Sequence, residues 1–246
     1  MSFEPWQVWG REPDVEVTLP RRATGELGEM ESTKQLVKLI GDVYKPGMRV
    51  LDVGCNVGHY LRGIRRIGAD VTYRGVDAYE HVINKARQIF KDDPHASFEV
   101  KDIHQPLYPS DRYDIVYCCN VILHLPFFKK PVKNLLDSTG KVCFIRTLLS
   151  EHPTTISKRC RDNLFDDDGN PLEWAYQNTY DVEFFADYVR GLGCDIEYID
   201  DEFDPTVLQD EYKKLKGNYG TRIVGTGVQA DGNVLFHWKW AKITRR

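Results

Sequence analysis

No run in this sequence approaches the roughly 18 apolar residues that a membrane-spanning helix requires. The first residues, Met1-Ser2-Phe3-Glu4-Pro5-Trp6, are not the basic and then apolar stretch of an export signal. A cytoplasmic protein with no membrane partner is therefore the expectation. Six cysteines are present, yet none forms a C-x-x-C pair, and four lie in or beside apolar runs. That pattern excludes a disulfide frame and a zinc site and reads as reduced, buried thiols; no metal is expected. A basic surplus is missing too. Lys and Arg number 33 against 37 Asp and Glu, for a net charge of -4, where a protein that grips phosphates carries a basic field. Arg21-Arg22, Lys158-Arg159-Cys160-Arg161 and Arg245-Arg246 read as solvated surface charge. Repeats and linkers are also lacking. With 41% hydrophobic and 28% charged residues, residues 1–246 read as one globular domain.

What is present centres on Arg49-Val50-Leu51-Asp52-Val53-Gly54-Cys55-Asn56-Val57-Gly58-His59-Tyr60. An apolar run ends at a glycine turn, and Tyr60-Leu61-Arg62-Gly63-Ile64 opens a helix. Strand, loop and helix N-terminus in that order place a nucleotide-like ligand at the strand's carboxyl end. The dinucleotide pattern G-x-G-x-x-G is absent, and Asp52 beside the loop would repel a pyrophosphate. A carboxylate there suits a ligand that carries positive charge. Asn56 occupies the middle glycine position of such loops, and asparagine is the non-glycine residue that best tolerates positive φ.

Leu51-Asp52-Val53-Gly54-Cys55-Asn56-Val57-Gly58 resembles the first motif of class I S-adenosylmethionine-dependent methyltransferases. The resemblance implies a Rossmann-like, doubly wound α/β fold. Its seven-stranded sheet would be mostly parallel with an antiparallel C-terminal strand, and helices would cover both faces. It implies S-adenosylmethionine as cofactor, with Asp52, Gly54, Cys55, Asn56 and Gly58 around it. Asp77, which ends a second strand (Asp70 to Asp77), would take the ribose hydroxyls, with Ala78 and Tyr79 on the adenine face. After a third strand, Asp102 and Ile103 would meet the adenine edge. A fourth strand, Tyr113 to Asn120, leads into Val121-Ile122-Leu123-His124, the segment that passes under the cofactor where the acceptor approaches; Asn120 joins the cofactor set.

Elsewhere the pattern predicts helices over Glu31–Tyr44, Tyr79–Lys91 and Asp181–Leu192, the last with Asp181 as N-cap. A helix over Phe127–Asp137 is expected to break near Pro131. Residues 1–30 read as an irregular lid, in which Arg22 or Glu31 would reach the methionine end of the cofactor. Residues 148–180 read as an aromatic insertion on the acceptor side, with Asp166-Asp167-Asp168-Gly169 as a turn. Val234 to Ala241 alternate with period two, as one closing strand.

Methyl transfer from a sulfonium is an in-line displacement, so the protein mainly supplies proximity and orientation. An alcohol acceptor adds the need for a base. His124 is the first candidate, ahead of His104, His59, His152 and Tyr176. The expected activity is O- or N-methylation of a small molecule, with a sugar or glycan precursor as the narrower reading. RNA or tRNA modification through Lys158-Arg159-Cys160-Arg161 is the alternative, and a cofactor-binding module without turnover is another. Acceptor and oligomeric state are not written in the sequence.

Overall fold

The computed structural model describes residues 8–9, 13–159, 164–204, 222–224, 228–231 and 234–246. Two helices lead in, α1 (Pro13–Thr24) and α2 (Glu31–Gly41). Next come β1 (Arg49–Val53), the short α3 (Leu61–Ile64), β2 (Thr72–Asp77), α4 (Glu80–Ile89), β3 (Ala96–Val100), β4 (Tyr113–Cys119), α5 (Lys129–Asp137) and β5 (Thr139–Ser150). The second half carries β6 (Ser157–Arg159), β7 (Trp174–Tyr176), β8 (Tyr180–Asp181), α6 (Val182–Gly191) and β9 (Cys194–Asp200). It closes with β10 (Arg222–Val224), β11 (Val228–Asp231), β12 (Val234–Phe236) and β13 (Trp238–Arg245). No described helix is long and apolar enough to cross a membrane.

The central sheet runs β3-β2-β1-β4-β5-β13-β9, with β8 paired to the end of β5. Its first five strands are parallel, and β13 inserts antiparallel to both neighbours. This is the expected Rossmann-like sheet. Strand alternation splits the core between two faces. Val50, Tyr73, Ile115, Tyr117, Phe144 and Trp240 point toward α2, α3 and α4. Leu51, Val116, Cys118, Cys143, Ile145 and Ile243 point toward α5 and α6. Helices on both faces bury these strands, which is why they read as apolar runs. All five described cysteines are free and buried; Cys160 lies outside the described residues.

Three expectations are corrected. From Pro13 to Thr24 the lid stretch is helical rather than irregular, residues 1–7 and 10–12 of it lying outside the described residues: Pro13 opens α1, where its missing N–H costs nothing, although Pro20 inside the helix gives up a hydrogen bond. Nor does α5 break at Pro131, which sits in the first turn, where amide groups have no partner within the helix. The closing stretch is two strands rather than one. His237 separates β12, which belongs to a small sheet with β10 and β11, from β13 in the central sheet. By contrast, Asp181 caps α6 by accepting from the Phe184 N–H at 2.7 Å. In the insertion, Asp166 accepts from the backbone of Asp168 and Asn170, which closes the acidic turn.

Trp240 ties the last strand to the first helices. Its indole N–H donates to the Gln35 side-chain oxygen at 2.7 Å, while the Gln35 amide donates to the Asp200 carbonyl at 2.8 Å. Trp240→Ala would open a cavity and remove one of the two donors to the Gln35 side-chain oxygen, the other being the Glu202 N–H, so urea unfolding should report a loss of about 3–5 kcal/mol. A loss under about 1 kcal/mol would mean that this corner repacks freely.

Candidate active site

Between β1 and β4 the chain reverses its winding direction, which opens a crevice at the carboxyl ends of the parallel strands. A cavity of about 310 Å³ lies there. The loop after β1 supplies Gly54 and Asn56, the end of β2 supplies Asp77, Ala78 and Tyr79, and the end of β3 supplies Lys101 to His104. The segment after β4 supplies Asn120, Val121, His124 and Leu125, and Trp9, Leu19 and Met30 cover it from the N-terminal side.

The glycine loop is held by left-handed backbone at Gly54 (φ 78°), Asn56 (φ 50°) and Gly58 (φ 75°). Asn56 adopts the conformation of the glycine it replaces. Its side chain helps, because Oδ1 accepts from the Val57 N–H at 2.9 Å. Gly54 and Cys55 donate to the Val76 carbonyl, and the Asn56 N–H donates to Asp77 Oδ2 at 2.9 Å. No side chain fits at Gly54, where a Cβ would lie 2.2 Å from Val121 Cγ2.

Two acids face the cavity differently. Asp77 accepts on both oxygens, from the Asn56 N–H and the Tyr79 N–H, and burial raises its pKa. Asp102 takes both His104 bonds on Oδ1, from the backbone at 2.9 Å and from the ring at 2.8 Å, so that Oδ2 is left to the cavity. The His104 ring holds the Asp102 carboxyl below its ordinary pKa.

Asp52, Cys55 and Gly58 do not reach the cavity wall. Strand alternation turns Asp52 into the core face, where Oδ2 accepts from the hydroxyls of Tyr73 at 2.7 Å and Tyr117 at 2.9 Å. Burial pushes its pKa up to about 7, against the pull of those two hydroxyls. A ligand-facing negative charge at Asp52 is therefore not what the fold builds. Gly58 is needed from below, since a Cβ there would stand 2.8 Å from the Phe98 ring. Cys55 packs against Gly75 in the same layer.

His124 ends a single 3-10 turn (Ile122–His124). Asn178 and Tyr180 clamp that turn by donating to the carbonyls of Ile122 and Leu125. The Nδ1–H of His124 donates to the Tyr176 carbonyl at 2.9 Å, which leaves the Nε2 lone pair unprotonated. The Trp9 ring packs on the imidazole at 4.0 Å, and burial lowers the His124 pKa to about 4. His59 also lines the cavity; its pKa falls to about 3 by burial, and its Nδ1 has no hydrogen-bond partner among the described residues. His152 is exposed, Glu31 pairs with Lys34, and the Arg22 guanidinium donates to the Gly28 carbonyl. Sequence reasoning did not place Leu19, Met30, Tyr60, Lys101 or Cys119 on the wall. Only the adjacency of Tyr60 to the loop and of Lys101 to Asp102 offered a signal.

These donors and acceptors fit an adenosyl cofactor: two acids ending adjacent strands, and loop backbone at Gly54 too close to its neighbour for a side chain. The family described as "Methyltransferase domain" matches residues 28–198. The chain belongs to the class I S-adenosylmethionine-dependent methyltransferases. The wheat (Triticum aestivum) phosphoethanolamine N-methyltransferase is 28% identical over 237 residues, or 89% of this chain and 42% of that protein. A ubiquinone biosynthesis O-methyltransferase of Coxiella burnetii is 31% identical over 102 residues, 40% of this chain and 43% of that one. The chain thus spans less than half the length of these relatives. Magnesium protoporphyrin IX methyltransferase from Synechocystis PCC 6803, solved with bound S-adenosylmethionine, superposes with a TM-score of 0.60 at 16% identity, covering 99% of this chain and 98% of that one. The [4+2]-cyclase SpnF superposes with a TM-score of 0.63 at 12% identity, covering 99% of this chain and 97% of that one. Fold likeness at that distance does not choose a reaction.

The position of Asp52 sets a pH test. Its pKa is raised on folding, so its contribution to stability is complete below about pH 4 and is lost as pH rises through about 7. Asp52→Asn removes that slope. Between pH 4.5 and 7.5 the stability of the Asp52→Asn variant relative to the parent should climb by roughly 2 kcal/mol or more in urea unfolding. A constant gap would place an ordinary carboxylate at Asp52.

Proposed function

We propose that this chain transfers a methyl group from S-adenosylmethionine to a small-molecule acceptor bound beside His124. The observation that carries the reading is the continuous cavity that runs from Asp77 and Asp102 at the ends of β2 and β3 to His124 beyond β4. Asp77 would hold the ribose hydroxyls, and Asp102, through Oδ2, the adenine amino group. Ala78 and Ile103 would enclose the adenine, and backbone at Gly54, Asn56 and Asn120 would border the methionine portion. The cofactor when bound supplies an electrophilic methyl on a good leaving group. The chain's own task is then to orient the acceptor and exclude water.

His124 suits the first task. With Nδ1–H committed to Tyr176, Nε2 can accept from an acceptor N–H or O–H. A pKa near 4 makes outright proton removal from an ammonium or alcohol unfavourable at neutral pH. Orientation is therefore its main role, and both N- and O-methylation stay within reach. Trp9, Leu19 and Met30 serve as the lid, and the β6–β7 hairpin, through Tyr176, as the acceptor-side cap. The single-domain reading of residues 1–246 is supported by β13, which returns to the central sheet between β5 and β9.

The names of the relatives point to small acceptors, an amine headgroup and a quinone precursor among them. A sugar or glycan precursor is the narrower alternative. Transfer of label from S-adenosylmethionine into a fractionated host extract distinguishes these. Label in a low-mass or glycan fraction supports the proposal and names the acceptor pool. Label released by RNase would replace the small molecule with RNA, and absence of label with cofactor bound would leave a binding module.

With the acceptor in hand, His124→Ala should lower kcat by about 10²-fold through lost orientation of the acceptor and leave cofactor affinity intact. The parent's acid limb should fall near pH 4, where Nε2 gains a proton, rather than near 6.5. Unchanged kcat in the variant would return His124 to a packing role.

A further inference from the structure

Arg146 lies on β5, behind the cavity wall rather than on it, and is only 5% exposed. Its Nε and Nη2 donate to the two oxygens of Asp201 at 2.6 and 2.7 Å. The remaining prong, Nη1, donates to Asn120 Oδ1 at 2.6 Å, and the guanidinium carbon sits 3.9 Å from the centre of the Trp238 ring. The Arg146 carbonyl also accepts from the Asn120 N–H at 3.1 Å. One residue thus grips Asn120 by both its backbone and its side chain.

Asn120 gains from that grip. Its φ is 60°, left-handed backbone that asparagine tolerates better than other non-glycine residues yet still takes at a greater cost than glycine. The turn at Asn120 sets the direction in which the chain leaves β4. It seats Val121 against Gly54, in the space a Cβ would fill, and it precedes the turn that carries His124. A buried ion pair alone would need only Asp201. The third prong and the carbonyl tie that pair to the cavity.

We propose that Arg146 is a positioning residue, which holds Asn120 left-handed and so sets the cavity wall between the glycine loop and His124. The inference rests on the reading of this cavity as the methyl-transfer site. Lysine can neutralise Asp201 but lacks the planar fork needed to hold Asn120 as well.

The test measures S-adenosylmethionine affinity by calorimetry, beside thermal unfolding, for Arg146→Lys, Asp201→Asn, Asn120→Ala, Asn120→Gly and the double variant Arg146→Lys/Asn120→Gly. Arg146→Lys should bind about tenfold more weakly or worse. Glycine takes positive φ freely, so the double variant should regain several-fold of that loss. For the same reason Asn120→Gly should bind more tightly than Asn120→Ala, a comparison that holds even if Arg146→Lys fails to fold. Asp201→Asn should lower the unfolding temperature while keeping the parent's affinity. Parent-like binding by Arg146→Lys, no recovery in the double variant, equal binding by Asn120→Ala and Asn120→Gly, or a loss in Asp201→Asn equal to that in Arg146→Lys would each overturn the inference. The parent's own affinity tests the cofactor reading separately, because a parent that does not bind S-adenosylmethionine removes that reading before any variant is compared.

Discussion

The close approach of Gly54 to Val121 is the constraint on which the site depends. Two chain segments, one leaving β1 and one leaving β4, meet with no space between them for a methyl group. Such contact demands left-handed backbone on both sides, at Gly54 and at Asn120. The rest of the arrangement secures it. Val76 and Asp77 tether the loop to β2, and Arg146 tethers Asn120 to β5. Adjacent parallel strands with helices on both faces are what bring four such loops to one end of the sheet.

Burial then sets the chemistry of the titratable groups. Asp52, His59 and His124 are all pushed toward their neutral forms, for the same reason: a charge is costly where water is excluded. Asp102 goes the other way because a histidine ring donates to it. The cavity therefore pairs an ionised Asp102 at the end that would face an adenosine with a neutral His124 at the end that would face an acceptor. That separation favours orientation over proton removal as the work asked of the protein. It also explains why the motif acid matters without reaching the cavity: Asp52 binds two tyrosine hydroxyls from the flanking strands and so locks β1 between β2 and β4.

Much of the fold was legible, because the features that set it are local. Apolar runs ending in Gly54, Asp77 and Asn120 marked the strands, and Leu36, Ile40, Val82, Ile83 and Ala86 marked helix faces. Asn56 could be read as left-handed from its chemistry alone. The family resemblance placed Asp77, Asp102, Asn120 and His124 around one ligand, and all four line the cavity. Less legible were α1, whose prolines resemble breakers until the helix register is known, and the break at His237, where an unbroken alternation hides a change of sheet.

By itself the sequence determined alternating strands and helices, a glycine loop without dinucleotide spacing, and acids at successive strand ends, since each depends on residues a few positions apart. Only the tertiary structure decided what those residues face. A strand's two faces differ by one residue of register, so packing alone sends Asp52 into the core while Asp77 meets the cavity. Likewise Trp9 on His124, Tyr176 fixing its tautomer, and Arg146 joining Asn120 to Asp201 connect segments far apart in the chain. No local pattern encodes such contacts, because they exist only once the sheet has brought their strands together.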